Sequence, residues 1–248
     1  MTFRASPFLN NPQSGGLLKP YVNRLKPFPE MGIICAVKKD LDYLLKQSFS
    51  IKAVSSGFLM TNIYKFQQVV IAGPYFGSPY AAALVEFLAG SGIKNIIAIG
   101  WCGGLDENLA PGDIILPDSF AFEDSTYQSY INNEKELDFD SEFSRDIKSF
   151  LRSVNISFKE GRIWTTHSLY RETREKVEYF SNRKAIAVEM ENSAILSAAS
   201  FLNINAVCIN IVSDILMKDK WLPGFGAESF KKSRIRLIDG IKDYVSSI

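Results

Sequence analysis

The stretch Ile96-Ile97-Ala98-Ile99-Gly100-Trp101-Cys102-Gly103-Gly104 carries the reading of the fold. Its apolar opening is too short for a helix and runs straight into a glycine-rich turn. That is the pattern of a strand buried on both faces of a sheet and ending in a loop. Two similar runs precede it, Ile33-Ile34-Cys35-Ala36-Val37 and Val69-Val70-Ile71-Ala72-Gly73. Others follow at residues 113–117, 157–165, 186–188 and 206–212, the last ending at Ser213-Asp214. Between them, apolar residues at helical spacing predict helices over 40–47, 79–89, 141–153, 171–180, 192–201 and 227–245. Alternating strands and helices imply an α/β domain with a mostly parallel sheet and helices on both faces. The polar stretch 118–140 reads as an irregular loop at a site or interface, and Trp221-Leu222-Pro223-Gly224-Phe225 as a lid or an interface piece. With no repeat and no linker, residues 31–248 read as a single domain, preceded by an irregular arm over 1–30 rich in Pro and Asn.

Composition narrows the class. The 248 residues are 46% hydrophobic, the profile of a globular protein with a sizeable core. Lys and Arg number 28 against 27 Asp and Glu, a net charge of +1, which gives no reason to expect nucleic acid or an anionic membrane as partner. No apolar stretch reads as a signal core or a bilayer span. Lys231, Lys232, Arg234 and Arg236 lie along the last helix and read as a solvated face. Cys35, Cys102 and Cys208 sit in apolar runs without paired spacing, as reduced thiols of a cytoplasmic protein would. A single histidine, His167, and no Cys-x-x-Cys leave no metal site to expect, and no cofactor is implied.

Gly73, Gly100, Glu189 and Asp214 fall at strand ends, where ligands sit in sheets of this kind. In Ala187-Val188-Glu189-Met190-Glu191-Asn192 two carboxylates flank a methionine at a strand-to-helix junction. They complement the helix dipole, or they accept hydrogen bonds from a sugar's vicinal hydroxyls while Met190 packs on its face. Asp214 caps a turn, or holds a proton for a leaving group. The glycines after Ile99 make a tight turn, or bring amides to an oxyanion. Taken singly, each pair of readings stays open.

Together these residues resemble a known family. Gly77-Ser78-Pro79, Ile96 to Gly104, Pro111-Gly112-Asp113-Ile114, Ala187 to Glu191 and Ser213-Asp214 occur in one order across residues 31–245. The set resembles the nucleoside phosphorylases and nucleosidases: purine nucleoside phosphorylase of the hexameric type, uridine phosphorylase, and methylthioadenosine/S-adenosylhomocysteine nucleosidase. The resemblance implies a three-layer α/β/α fold with a mixed, partly barrel-like central sheet. It also implies a homo-oligomer, a dimer or a trimer of dimers, with sites near subunit interfaces. Glu191, Met190 and Glu189 then resemble the ribose-binding residues, and Asp214 the aspartate that serves purine N7, with Ser213 beside it. Trp164 to Thr173 resembles the base-lining segment, with His167, Leu169, Tyr170 and Arg171 as base contacts. Gly73, Gly100, Trp101 and Cys102 take the place of the anion and sugar loop. Asp214 favours a purine over uridine.

The departures bear on the nucleophile. Phosphorylases of the family hold phosphate with arginines, one in a Gly-Asp-x-x-Arg loop. Here the corresponding run is Ala36-Val37-Lys38-Lys39-Asp40, Ala98 stands at a second arginine position, and Trp101 replaces a small hydroxyl residue. The nucleosidase branch has a water-activating carboxylate where Asp40 falls. The resemblance therefore implies cleavage of a purine nucleoside's N-glycosidic bond by water, with Asp40 and Asp214 as catalytic residues. Phosphate enters as co-substrate only if the protein is a phosphorylase. A nucleoside-binding protein without turnover is the third reading.

Overall fold

The structure is a computed structural model describing residues 28–47, 58–66, 68–133, 136–217 and 219–247. The elements run β1 (Met31–Cys35), α1 (Lys38–Gln47), β2 (Asn62–Lys65), β3 (Val69–Gly73), α2 (Ser78–Gly90), β4 (Asn95–Gly104), β5 (Ile114–Phe122), α3 (Glu142–Ser153), β6 (Lys159–Thr165), α4 (Arg174–Ser181), β7 (Ala185–Glu189), α5 (Asn192–Phe201), β8 (Asn205–Met217), β9 (Lys220–Pro223) and α6 (Glu228–Ser246). The strands form one sheet in the order β2-β3-β1-β4-β7-β6-β5-β8-β9. A further pairing of β4 with β8 closes β4, β7, β6, β5 and β8 into a five-stranded barrel.

Strand alternation divides the core. Ile33 and Cys35 of β1, Ile71 of β3, Ile97 and Ile99 of β4 and Ile209 of β8 face α1, α3 and α6. Their neighbours Ile34, Val70, Ala72, Ile96, Ala98 and Cys208 face α2 and α5. Ile33, Ile97 and Ile209 are fully buried, each contributing about 1.5–3 kcal/mol from the area removed from water. Inside the barrel lie Cys102, Ile115, Phe120, Ile163, Ala187, Val212 and Ile215. Phe180 of α4 stacks on Trp164 outside it, with ring centroids 4.3 Å apart.

Several expectations change. Five strand pairings are parallel and four antiparallel, so the sheet is mixed, as the family resemblance implies, rather than mostly parallel. Residues 118–122 are not loop but the second half of β5. Asp118 is absorbed where the register to β6 shifts between Pro117 and Ser119, and Phe120 then faces inward. Trp221-Leu222-Pro223 is a strand, pairing antiparallel with Ile215 and its neighbours on β8. Strand β2 was not evident in the polar sequence around Asn62. The helix expected from Arg171 begins at Arg174, because the Thr173 hydroxyl accepts the Lys176 amide. The glycine-rich run 100–104 is no turn: β4 continues through it beside β8. Apart from residues 28–30, the expected N-terminal arm lies outside the described residues.

Candidate active site

Strand β1 pairs with β4 as far as Ile99, and β7 joins β4 only from Gly103. On that side, among the described residues, no strand pairs with Gly100, Trp101 or Cys102. The sheet splits there, and the sequence candidates gather round the split. Gly73 lies at its β1 edge, where a Cβ would stand 2.4 Å from the Cys35 carbonyl oxygen. Only glycine lets β3 and β1 approach so closely.

The two glutamates after β7 are held differently. Glu189 is buried and accepts three hydrogen bonds: from the Thr165 hydroxyl at 2.6 Å on one oxygen, and from the Glu191 and Asn192 amides at 2.7 Å on the other. Its carboxylate caps the start of α5 and joins it to β6. This departs from the expected sugar contact, since protein donors already engage both oxygens and the residue is 4% exposed. Glu191 is part-buried and accepts one hydrogen bond, from the Gly77 amide to Oε1 at 2.7 Å. The Ser78 hydroxyl donates to the Met190 carbonyl at 2.8 Å, so the start of α2 is fastened to the start of α5 twice. Gly77 adopts φ +80°, the left-handed region that glycine favours, and so aims its amide at Glu191. Burial pushes both glutamates up, Glu189 to about 7 and Glu191 to about 8. Donors on Glu189 oppose its shift, while the charge of Glu189 adds to that of Glu191.

Asp214 lies across the barrel. Register places it beside Gly103, Gly103 beside Val188, and Val188 beside Trp164. Asp214 is thus two strand spacings, about 10 Å, from the strand that ends at Glu189. A Cβ on Gly103 would stand 3.6 Å from Asp214 Oδ2 and 2.6 Å from Leu216, so the glycine makes room for this carboxylate. The Ser213 hydroxyl donates to Asp214 Oδ1 at 2.5 Å and also lies 3.2 Å from the Cys102 carbonyl. The Trp221 indole N–H donates to Oδ2 at 2.7 Å. Cys102 contributes its carbonyl; its thiol is buried, and burial pushes it far above the usual thiol range.

Asp40 departs most from expectation. It is 0% exposed; Oδ1 is bound by the Arg234 guanidinium and Oδ2 accepts the Trp101 indole N–H at 2.6 Å. Burial pushes its carboxyl up, with Arg234 and Trp101 opposing. In this arrangement Asp40 is sealed from solvent, which does not suit the expected activation of water. The Trp101 ring turns toward α6, with its centroid 4.9 Å from Phe230 and the Arg234 guanidinium 5.2 Å from it. Arg234 is therefore no part of a solvated face. It shares the buried stripe of α6 with Phe230, Leu237, Ile238 and Ile241, a spacing that the sequence already displays.

The base-lining candidates are the least ordered by contacts. His167, Tyr170 and Arg171 are exposed and Leu169 is 46% exposed, in a 3-10 turn over Leu169–Arg171. None shares a hydrogen bond with Asp214 or Glu191 among the described residues. Behind them, Trp164 donates to Glu123 at 2.8 Å, and Lys176 pairs with the same carboxylate. Burial raises Glu123, but the Lys176, Thr166 and Trp164 donors outweigh it and hold the group below its usual range. Glu172 is pushed up to about 7, by burial and then by the charges of Asp214 and Glu123. Glu172, Trp221, Arg234, Thr165 and Gly77 are the contributors that residue-type reasoning did not single out as site residues.

The comparisons with known proteins bear on the family and the fold. The chain matches the phosphorylase superfamily over residues 30–241. It is 28% identical over 162 residues to the DeoD-type purine nucleoside phosphorylase of Brevibacillus brevis, covering 63% of this chain and 68% of that one. It is 28% identical over 177 residues to the DeoD-type purine nucleoside phosphorylase of Caldanaerobacter subterraneus, covering 70% and 76%. The solved AMP nucleosidase of Bacteroides thetaiotaomicron shares the fold with a TM-score of 0.70 at 19% identity, covering 89% of this chain and 91% of that one. With a family match over most of its length and the family's fold, the chain belongs to the phosphorylase superfamily, that of the nucleoside phosphorylases and nucleosidases.

Proposed function

We propose that the protein cleaves the N-glycosidic bond of a purine nucleoside and that water is the nucleophile. Glu191, with one oxygen tied to Gly77, accepts the ribose hydroxyls on the other. Asp214, about 10 Å across the barrel, serves the base. As the bond from the sugar carbon to the base nitrogen stretches, its electron pair passes to the base. A proton or hydrogen bond from Asp214 relieves the charge that builds there. Water bonds to the anomeric carbon, and the proton it gives up replaces, through solvent, the one that Asp214 passed to the base, yielding free ribose and free base.

The observation that carries the choice of water is the Asp40–Arg234 pair. Where the family's phosphorylases place an arginine for phosphate, this chain has a carboxylate, and the nearby arginine is already neutralised by it. A phosphate there would meet a negative group and, among the described residues, an arginine already paired with it. Asp40 is the water-activating carboxylate that the family resemblance implies, and it reaches water only when Trp101 moves off it.

The second reading is a purine nucleoside phosphorylase with an altered phosphate site, favoured by the names of the curated relatives. Purified protein assayed on adenosine, inosine, guanosine, uridine and 5′-methylthioadenosine, with and without phosphate, separates the two. Hydrolysis predicts ribose and free base at a rate indifferent to phosphate. Strict phosphate dependence with ribose 1-phosphate as product overturns it.

A further inference from the structure

Asp214 accepts one hydrogen bond on each oxygen in this structure, from Ser213 on Oδ1 and from Trp221 on Oδ2, so a base that reaches it meets one donor or the other. The two donors are unequal. Ser213 is buried at 4% exposure, and its hydroxyl is also within reach of the Cys102 carbonyl. Trp221 is 59% exposed and sits on β9, a four-residue terminal strand whose residues are all exposed and which pairs on one side only. Its indole N–H reaches Asp214 Oδ2 from solvent. Such a donor exchanges at little cost in packing, whereas Ser213 is fixed.

We propose that Trp221 is a positioning residue for Asp214: its indole N–H holds Oδ2 in the unliganded protein and surrenders that oxygen to a ring N–H of the purine when the free base binds. The inference rests on the reading of Asp214 as the base contact. It predicts that the indole competes with the base, so that losing the N–H favours binding.

The test is Trp221→Phe, which keeps an aromatic ring on β9 and removes the donor. Adenine, guanine and hypoxanthine are titrated by calorimetry into wild type, W221F, D214N and the D214N/W221F double variant, each checked for folding by circular dichroism. For the purine that wild type binds, W221F is expected to bind about tenfold tighter, the scale of one hydrogen bond to a charged group. The gain disappears when D214N is already present. With the nucleoside as substrate, KM falls in W221F and kcat does not rise. Leu222→Ala perturbs the same strand without removing a donor and leaves the purine affinity unchanged. Equal or weaker purine binding by folded W221F overturns the inference while leaving the function intact. Failure of wild type to bind any of the three purines defeats the function reading, and this inference with it.

Discussion

The Gly77 amide and the Glu191 carboxylate, 114 residues apart in sequence, meet in a 2.7 Å hydrogen bond that sets the direction of the acid proposed to face the sugar. A glutamine at 191 keeps the oxygen that Gly77 needs and loses the negative charge. Glu191→Gln is expected to lower kcat/KM about 10- to 100-fold above pH 8, where wild type is ionised, because charge-assisted bonds to the ribose hydroxyls are what is lost. Steady-state kinetics beside a thermal melt checks this. An unchanged kcat/KM would place the sugar elsewhere.

Glu191 also makes stability depend on pH. The folded protein keeps its proton to about pH 8, whereas the unfolded chain releases it near the ordinary value of 4.5. Between those values the folded state binds more protons, so this contribution is full below 4.5 and is lost as pH rises toward 8. Glu191→Gln removes the titration. Its Tm advantage over wild type should grow between pH 5 and 8; a constant difference across that range would show that Glu191 does not titrate there.

The Asp40–Arg234 pair is buried on both sides, with side chains 1% and 6% exposed. Arg234→Ala leaves an uncompensated carboxylate in the core and is expected to cost about 3–5 kcal/mol in chemical denaturation. Adding Asp40→Asn should recover part of that loss. If the double variant is no more stable than Arg234→Ala, the coupling between the two charges is absent.

At Gly73 a side chain would collide with backbone rather than with a movable group, the nearest atom being the Cys35 carbonyl oxygen at 2.4 Å. Gly73→Ala should destabilise by about 1–3 kcal/mol, the usual cost of overpacking. A denaturation midpoint equal to wild type would mean that β1 and β3 separate freely.

Asp214→Asn keeps the size and the acceptor for Trp221, but cannot give a proton to a leaving base. It should lower kcat about 10²- to 10⁴-fold on purine nucleosides. The control is a riboside whose leaving group needs no proton, such as p-nitrophenyl riboside, on which the loss should be far smaller. Equal losses on both substrates would remove Asp214 from the chemistry.

Much of the frame was readable because β1, β3, β4 and β8 are unbroken apolar runs between helices with regular stripes, and α5 begins and ends where its spacing predicts. What escaped depends on contacts remote in sequence. Strand β9 exists because Leu222 finds Ile215 across a short turn, and no alternation in Trp221–Phe225 announces it. The split between Ile99 and Gly103 follows from where β1 leaves and β7 arrives, which no local pattern encodes. Glu189 and Glu191 look equivalent in sequence; only the Thr165 hydroxyl and the helix amides make the first a scaffold and leave the second an open oxygen. Arg234 was legible in principle, since it stands on the apolar stripe of α6, but a cluster of four basic residues masked it.

Phe225 lies with its ring centroid 6.4 Å from Trp221 and 6.0 Å from Trp101. Each of those indoles holds one of the two carboxylates assigned to the chemistry, Asp214 and Asp40. One phenyl ring is thus a common neighbour of both seals. If a base displaces Trp221 as proposed, Phe225 is the ring through which the tryptophan over Asp40 would feel it, and the leaving and attacking ends of the substrate would not be independent.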